Sequence, residues 1–186
     1  MRLYGFDGRD NQGGFSDILG EIDGARESVV VVSPYLTFPF VDALARARAR
    51  GASVQLITPL KNNKPSVRDY LLRAAGRAGL EVRLTPEMIH LKGMLIDQRA
   101  LILGSSNFDF VSYHAEEEIL AVLTDPTLIA AFQAEVIAPA LQAALPDGAY
   151  APSRWAGLGS LAALKTAEWL IRSSRYRRRT STEWRY

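Results

Sequence analysis

Residues 90–118 read HLKGMLIDQRALILGSSNFDFVSYHAEEE, and this stretch decides the fold. Two apolar runs, 93–97 and 100–103, flank Gln98 and Arg99 and predict a β-hairpin. His90 and Lys92 stand two apart just before the first run, so on an extended strand they point to the same side. Gly104-Ser105-Ser106-Asn107 follows the second run with the residue types of a turn. A further strand is expected over 117–123. Alternation on an extended chain puts Glu116 and Glu118 on one face and Glu117 on the other. Like charges on one face repel, which favours one of them having a specific partner.

Working outward, Ser28–Ser33 holds four consecutive valines, which predicts a strand buried on both faces of a sheet with helices on each side. Residues 53–58 and 81–84 predict two more strands. Between them lie helical patterns. One covers 14–26, with Phe15, Ile18, Leu19 and Ile22 on a face. A second runs from Pro39 to a cap at Gly51, with Val41, Leu44, Ala45 and Ala49 as its inner stripe. A third is expected to open on a Ser66–Asp69 capping box and close at Gly79. Asp125-Pro126 starts another, running to Pro139 or slightly beyond. The first 14 residues, MRLYGFDGRDNQGG, read as an irregular lead-in. Alternation early and a hairpin late predict an α/β fold with a mixed sheet.

Composition narrows the chemistry. The 186 residues suit one compact domain, with 48% hydrophobic and 23% charged side chains. There is no cysteine, so disulfides, thiolate metal sites and a cysteine nucleophile are excluded together. With two histidines, a multi-His metal site is all but excluded, and no metal or cofactor is expected. No secretory signal is visible and no membrane span is expected, because no run of about 18 uncharged apolar residues occurs. The expected location is cytoplasmic, peripheral at the inner membrane surface.

Gathered in one pocket, the groups of 90–118 suit attack on phosphorus. A neutral imidazole is a nucleophile. An ammonium and an amide can hold anionic oxygens and stabilise charge growing on them. A carboxylate can fix the imidazole's tautomer.

The spacing H-x-K-x4-D-x6-G-S-x-N, filled here by His90, Lys92, Asp97, Gly104, Ser105 and Asn107, resembles the signature of the phospholipase D superfamily. In that family an acidic residue lies eleven residues beyond the Asn, which is Glu118 here. SPYLTFPFVDALARARARGASVQLITP (33–59) and GSSNFDFVS (104–112) look like the corresponding stretches of bacterial cardiolipin synthases. The resemblance covers roughly half the chain. Those synthases usually carry Asn two residues before the acidic residue, where this chain has Glu116 and hence extra negative charge.

The resemblance implies a phospholipase D-like sandwich, a mixed sheet flanked by helices, and a metal-independent phosphodiesterase or phosphatidyltransferase acting on phospholipid. His90 would form a phosphohistidine. Lys92 and Asn107 would bind phosphate oxygens. Ser105 would support the phosphate or the neighbouring imidazole, and Glu118 would orient His90. Asp97 and Gly104 would support the motif structurally. Tyr35, with Phe38 beside it, and the loop cations Lys61 and Lys64 are weaker candidates for substrate contact, with core packing or a solvated loop as the alternative. Asp109 and Tyr113 have no assigned role. The family's mechanism uses two histidines, and His114 lacks a Lys two residues on. A homodimer, or a second subunit bearing the same motif, is therefore expected to complete the site. A single-motif nuclease and a non-catalytic binding or partner subunit remain alternatives.

The catalytic domain is placed at 1–150, and 151–186 are read as an amphipathic helix and an Arg-rich tail. Leu158, Leu161, Leu164 and Trp169 form the helix's apolar stripe. The last 15 residues hold six Arg against Glu183, a net of +5 in a chain whose total is +2. The remaining residues are therefore acidic. The tail suits an anionic lipid surface, and nucleic acid is open to it as well. Packing of the helix on the domain stands as the alternative.

Overall fold

A computed structural model describes residues 1–8, 11–152 and 154–182, with side chains in the last segment at 159–173. A seven-stranded mixed sheet runs through the middle, in the order β1-β7-β6-β5-β2-β3-β4. The strands are β1 (Arg2–Asp7), β2 (Ser28–Val32), β3 (Ser53–Pro59), β4 (Glu81–Thr85), β5 (Gly93–Ile96), β6 (Ala100–Gly104) and β7 (Glu117–Leu123). Strands β2, β3 and β4 are parallel, whereas β5, β6, β7 and β1 continue the sheet antiparallel.

One face is covered by α1 (Asn11–Asp23), α2 (Phe40–Ala49), α3 (Pro65–Ala78), α4 (Phe110–His114) and α7 (Arg154–Thr182). The other is covered by α5 (Pro126–Phe132), a π-helical turn (Gln133–Ile137) and α6 (Ala138–Gln142). The valine run behaves as its position dictates. Val29 and Val31 face the first helical layer, and Val30 and Val32 the second. The first layer is knitted by aromatic rings: Phe15 stacks on Phe6 at 4.2 Å between centroids and meets Phe40 edge-on at 5.5 Å. Full burial of such a ring contributes about 1.5–3 kcal/mol.

Several local expectations are corrected. The lead-in is the edge strand β1, whose ladder to β7 supplies the order that its Gly- and Asp-rich composition hides. The hairpin turns at Asp97 and Gln98, both left-handed (φ 49° and 50°), and Arg99 N–H closes it onto Ile96 O at 2.9 Å. The turn therefore sits one residue earlier than the apolar pattern implies. On α2 the buried positions are Phe40, Val41, Ala43, Leu44 and Ala47, so Ala45 and Ala49 fall outside the inner stripe. The Ser66–Asp69 capping box does not form. Pro65 occupies the first turn, the cap residue is Lys64, and Asn62 Oδ1 accepts the Lys64 N–H at 2.7 Å. Asp69 pairs instead with Arg68 at 2.9 Å and accepts from the Tyr150 hydroxyl at 3.0 Å.

The C-terminal segment is one helix, Arg154–Thr182, which runs on through the Arg-rich residues up to that point. No Gly or Pro follows Gly159, and Arg is a good helix former. Helix α7 packs on α3 and α4, and Leu164 joins the main core. Leu161 is half-buried against that core, but Trp169 is 65% exposed and so does not belong to the inward stripe. Leu158 and the cationic residues from Arg175 onward lie outside the described side chains. No helix among the described residues is long and apolar enough to cross a membrane.

Candidate active site

The sheet's topology gathers the motif at one end. Gly93 pairs with Val32 on one side and Leu103 on the other, and Gly104 pairs with Leu120. The residues just before β5, just after β6 and at the start of β7 therefore share the edge where the parallel strands end. That edge receives His90 and Lys92, Ser105 to Asn107, and Glu116 to Glu118.

Lys92 is nine-tenths buried, and its ammonium lies 3.0 Å from His90 Nδ1, 3.2 Å from Nε2 and 3.0 Å from His90 O. An ammonium has only donors, so a bond to the ring takes an unprotonated nitrogen. Burial lowers the Lys92 pKa, and the Glu118 and Glu116 charges oppose that shift. The imidazole itself stands exposed at the sheet end. The Ser105 hydroxyl donates to Glu118 Oε2 and accepts the Ile119 N–H at 3.1 Å. Asn107 Oδ1 is buried with no hydrogen-bond partner, the condition of a group that a ligand's donor or a rotated amide would satisfy.

Asp97 and Gly104 are both set against backbone atoms. Asp97 accepts the N–H groups of Glu27 at 2.8 Å, Ser28 at 2.9 Å and Arg26 at 3.1 Å, tying the hairpin turn to the start of β2. Burial works to raise its pKa, but those N–H groups and the Arg99 charge outweigh it and hold the carboxyl below its ordinary value. At Gly104 a Cβ would lie 2.0 Å from Ile119 O, so no side chain fits between β6 and β7.

The weaker candidates have partners of their own. Tyr35 is buried, donates its hydroxyl to Asn63 and carries the Lys64 ammonium 4.4 Å over its ring. Lys61 forms an exposed ion pair with Glu87 at 2.6 Å. Phe38 stacks on Phe110 at 5.3 Å inside the core. The loop that carries Tyr35 and Phe38 is fastened to the motif: Thr37 N–H donates to Phe108 O, and Phe110 N–H to Thr37 Oγ1, each at 3.0 Å. His114 is buried, with Gln12 Nε2 at 3.3 Å and Glu168 at 3.6 Å, so it helps seat α7.

Three contributors escape a reading of the sequence. Asp109 caps α4, accepting the Val111 and Ser112 N–H groups at 3.0 Å each. The cap presents Ser112, whose hydroxyl lies 2.7 Å from Glu116 Oε2 and 3.3 Å from Glu118 Oε1. Asn11 is fully buried and clamps that turn, donating from Nδ2 to Ser112 O and to Glu116 O at 2.8 Å each. An Asp followed three residues later by Ser was the available signal for the cap. Nothing local marks Asn11, which acts across 101 residues of chain. The Glu118 carboxylate thus accepts from Ser105 and shares the Ser112 hydroxyl with Glu116, and the His90 ring faces the Lys92 ammonium. Among the described residues no hydrogen bond joins His90 to Glu118.

A mixed sheet whose central hairpin carries the H-x-K and G-S-x-N residues to one edge is a phospholipase D-type domain. Residues 18–138 match the family model described as "Cardiolipin synthase, PLD-like domain", and the chain belongs to that family. The minor cardiolipin synthase ClsB of Bacillus subtilis is 32% identical over 126 residues, which is 64% of this chain and 31% of that protein. The chain thus spans less than a third of the length of the curated relatives it matches. Nuc from Salmonella typhimurium, a phospholipase D family member, superposes with a TM-score of 0.69 at 20% identity, covering 77% of this chain and 95% of Nuc. The phosphatidylserine synthase of Haemophilus influenzae Rd KW20 gives a TM-score of 0.64 at 18% identity, over 91% of this chain and 46% of that one. Likeness at these identities establishes the fold.

Proposed function

We propose that this chain is a phosphodiesterase or phosphatidyltransferase that acts on phospholipid through a phosphohistidine and shares its site with a second subunit. The observation that carries the reading is the gathering of His90, Lys92, Ser105, Asn107 and Glu118 at one sheet edge, in a chain that belongs to the cardiolipin synthase family. The His90 lone pair attacks phosphorus, and an N–P bond forms as the P–O ester bond breaks. The departing alkoxide takes a proton from the second imidazole. Water or an alcohol then attacks phosphorus, gives its proton to that imidazole and breaks the N–P bond. Water yields hydrolysis and an alcohol yields transfer. Lys92 and Asn107 hold the phosphoryl oxygens as charge grows on them. Glu118, anchored by Ser105 and Ser112 in its own protomer, keeps its remaining acceptor capacity for an imidazole of the completed site.

The test is incubation with EDTA and either labelled phosphatidylglycerol vesicles or plasmid DNA, with His90→Ala as control. Lipid turnover that His90→Ala abolishes supports the reading. Nicked DNA with intact lipid replaces it with a nuclease. No turnover of either, in a confirmed dimer, replaces it with a binding subunit. Sedimentation that finds an active strict monomer would overturn the shared site.

A further inference from the structure

The chain carries an acidic residue more than its motif requires. Glu116 lies two residues before Glu118, and it is held in place rather than left to swing. Its carbonyl is bound by the buried Asn11, whose own Oδ1 takes the Gly8 N–H at 3.0 Å. Its carboxylate takes the Ser112 hydroxyl at 2.7 Å, and the same hydroxyl stands 3.3 Å from Glu118. A hydroxyl has one proton, so Ser112 can donate to one of the two carboxylates at a time. With Ser112 given to Glu116, Glu118 keeps the Ser105 hydroxyl, but two charged carboxylates then face each other across one shared hydroxyl, and their like charges favour a proton held between them.

The charged groups around the pair leave that charge poorly balanced. Lys92 lies on the β5 side and is acted on by both Glu118 and Glu116. Asp109, on the α4 side, is buried and adds a third acid, with Lys64 acting on it from the α3 side. Burial raises the Glu118 pKa, and Glu116 raises it further, against the Ser105 and Ser112 hydrogen bonds.

We propose that Glu116 is a positioning residue that makes Glu116, Ser112 and Glu118 one unit holding a single shared proton. In that state the unit carries one negative charge opposite Lys92. Loss of the proton to solvent leaves two negative charges beside the place where an anionic phosphodiester must bind. The consequence for substrate rests on the catalytic reading above, whereas the shared proton does not.

Carbon-13 NMR titration of the glutamate side-chain carboxyls tests it in the free protein. The native protein should show two coupled steps, because interacting acids titrate as a pair. Glu116→Gln should leave Glu118 with one step, below the upper step of the native pair, and Glu116→Asp should restore two. A Glu118 signal that titrates identically in native protein and Glu116→Gln overturns the proposal. In turnover, KM for the phosphodiester should rise above the upper step in the native protein, and that rise should be lost in Glu116→Gln. A rise kept in Glu116→Gln overturns the substrate consequence. Activity that survives His90→Ala overturns the catalytic reading instead, and the carboxyl titration still decides the pair.

Discussion

Asp97 separates a structural from a catalytic role within the motif. Its carboxylate is about 10% exposed and accepts the backbone N–H groups of Arg26, Glu27 and Ser28 at the start of β2. Hydrogen bonds to a charged group contribute about 1.5–3 kcal/mol each, but Arg26 and Glu27 are exposed and water replaces the carboxylate there. One such bond, at the half-buried Ser28, therefore counts in full. Asp97 is also left-handed at φ 49°, which costs Ala about 1–2 kcal/mol and is tolerated by Asn. Asp97→Ala should lose about 3 kcal/mol, and Asp97→Asn, which keeps one acceptor oxygen, about 1 kcal/mol. With a urea m-value of about 2 kcal/mol/M, the Ala midpoint should fall by about 1.5 M. The folded-state pKa is depressed, so the native advantage over Asp97→Asn is complete above the unfolded value of about 3.9 and fades as pH falls through the folded value. The assay is urea unfolding by circular dichroism at neutral and acid pH, with turnover measured on fully folded protein. Turnover per folded molecule should stay within about twofold, the outcome for a group that does not touch the reacting atoms. A deficit that persists undiminished in acid, or lost turnover at unchanged stability, would refute the anchor role.

Gly104→Ala places a Cβ against backbone atoms of Ile119 and Leu120, which cannot move aside without breaking the β6–β7 ladder. It should cost about 3 kcal/mol or more in thermal unfolding, and a native-like melting temperature would refute the close approach. On the lipid-surface reading, the outward pair Trp169 and Leu170, 65% and 54% exposed, inserts into the headgroup layer beside Arg172. Replacing both by Glu should weaken flotation with anionic vesicles by about tenfold or more, and equal flotation of both proteins would refute it.

The sequence by itself determined the parts whose cause is local. Four valines specify a strand buried on both faces, because nothing else covers such a run. The residues from His90 to Glu118 specify which groups meet at one end of the sheet, because their spacing across a hairpin needs no distant information. Tertiary structure alone decided what depends on partners far along the chain. The opening segment becomes a strand because β7 offers it a ladder. Pro65 and the distant Tyr150 draw Ser66 and Asp69 away from a capping box. His114 is spoken for by α7. Above all, the sequence placed Glu116 and Glu118 on one face, but their joining through one hydroxyl needed Asp109 to cap α4 and Asn11 to clamp the turn from about a hundred residues away. The spacing of a motif names its side chains; which hydrogen bond each one spends, and on whom, is settled only when the whole fold has closed around them.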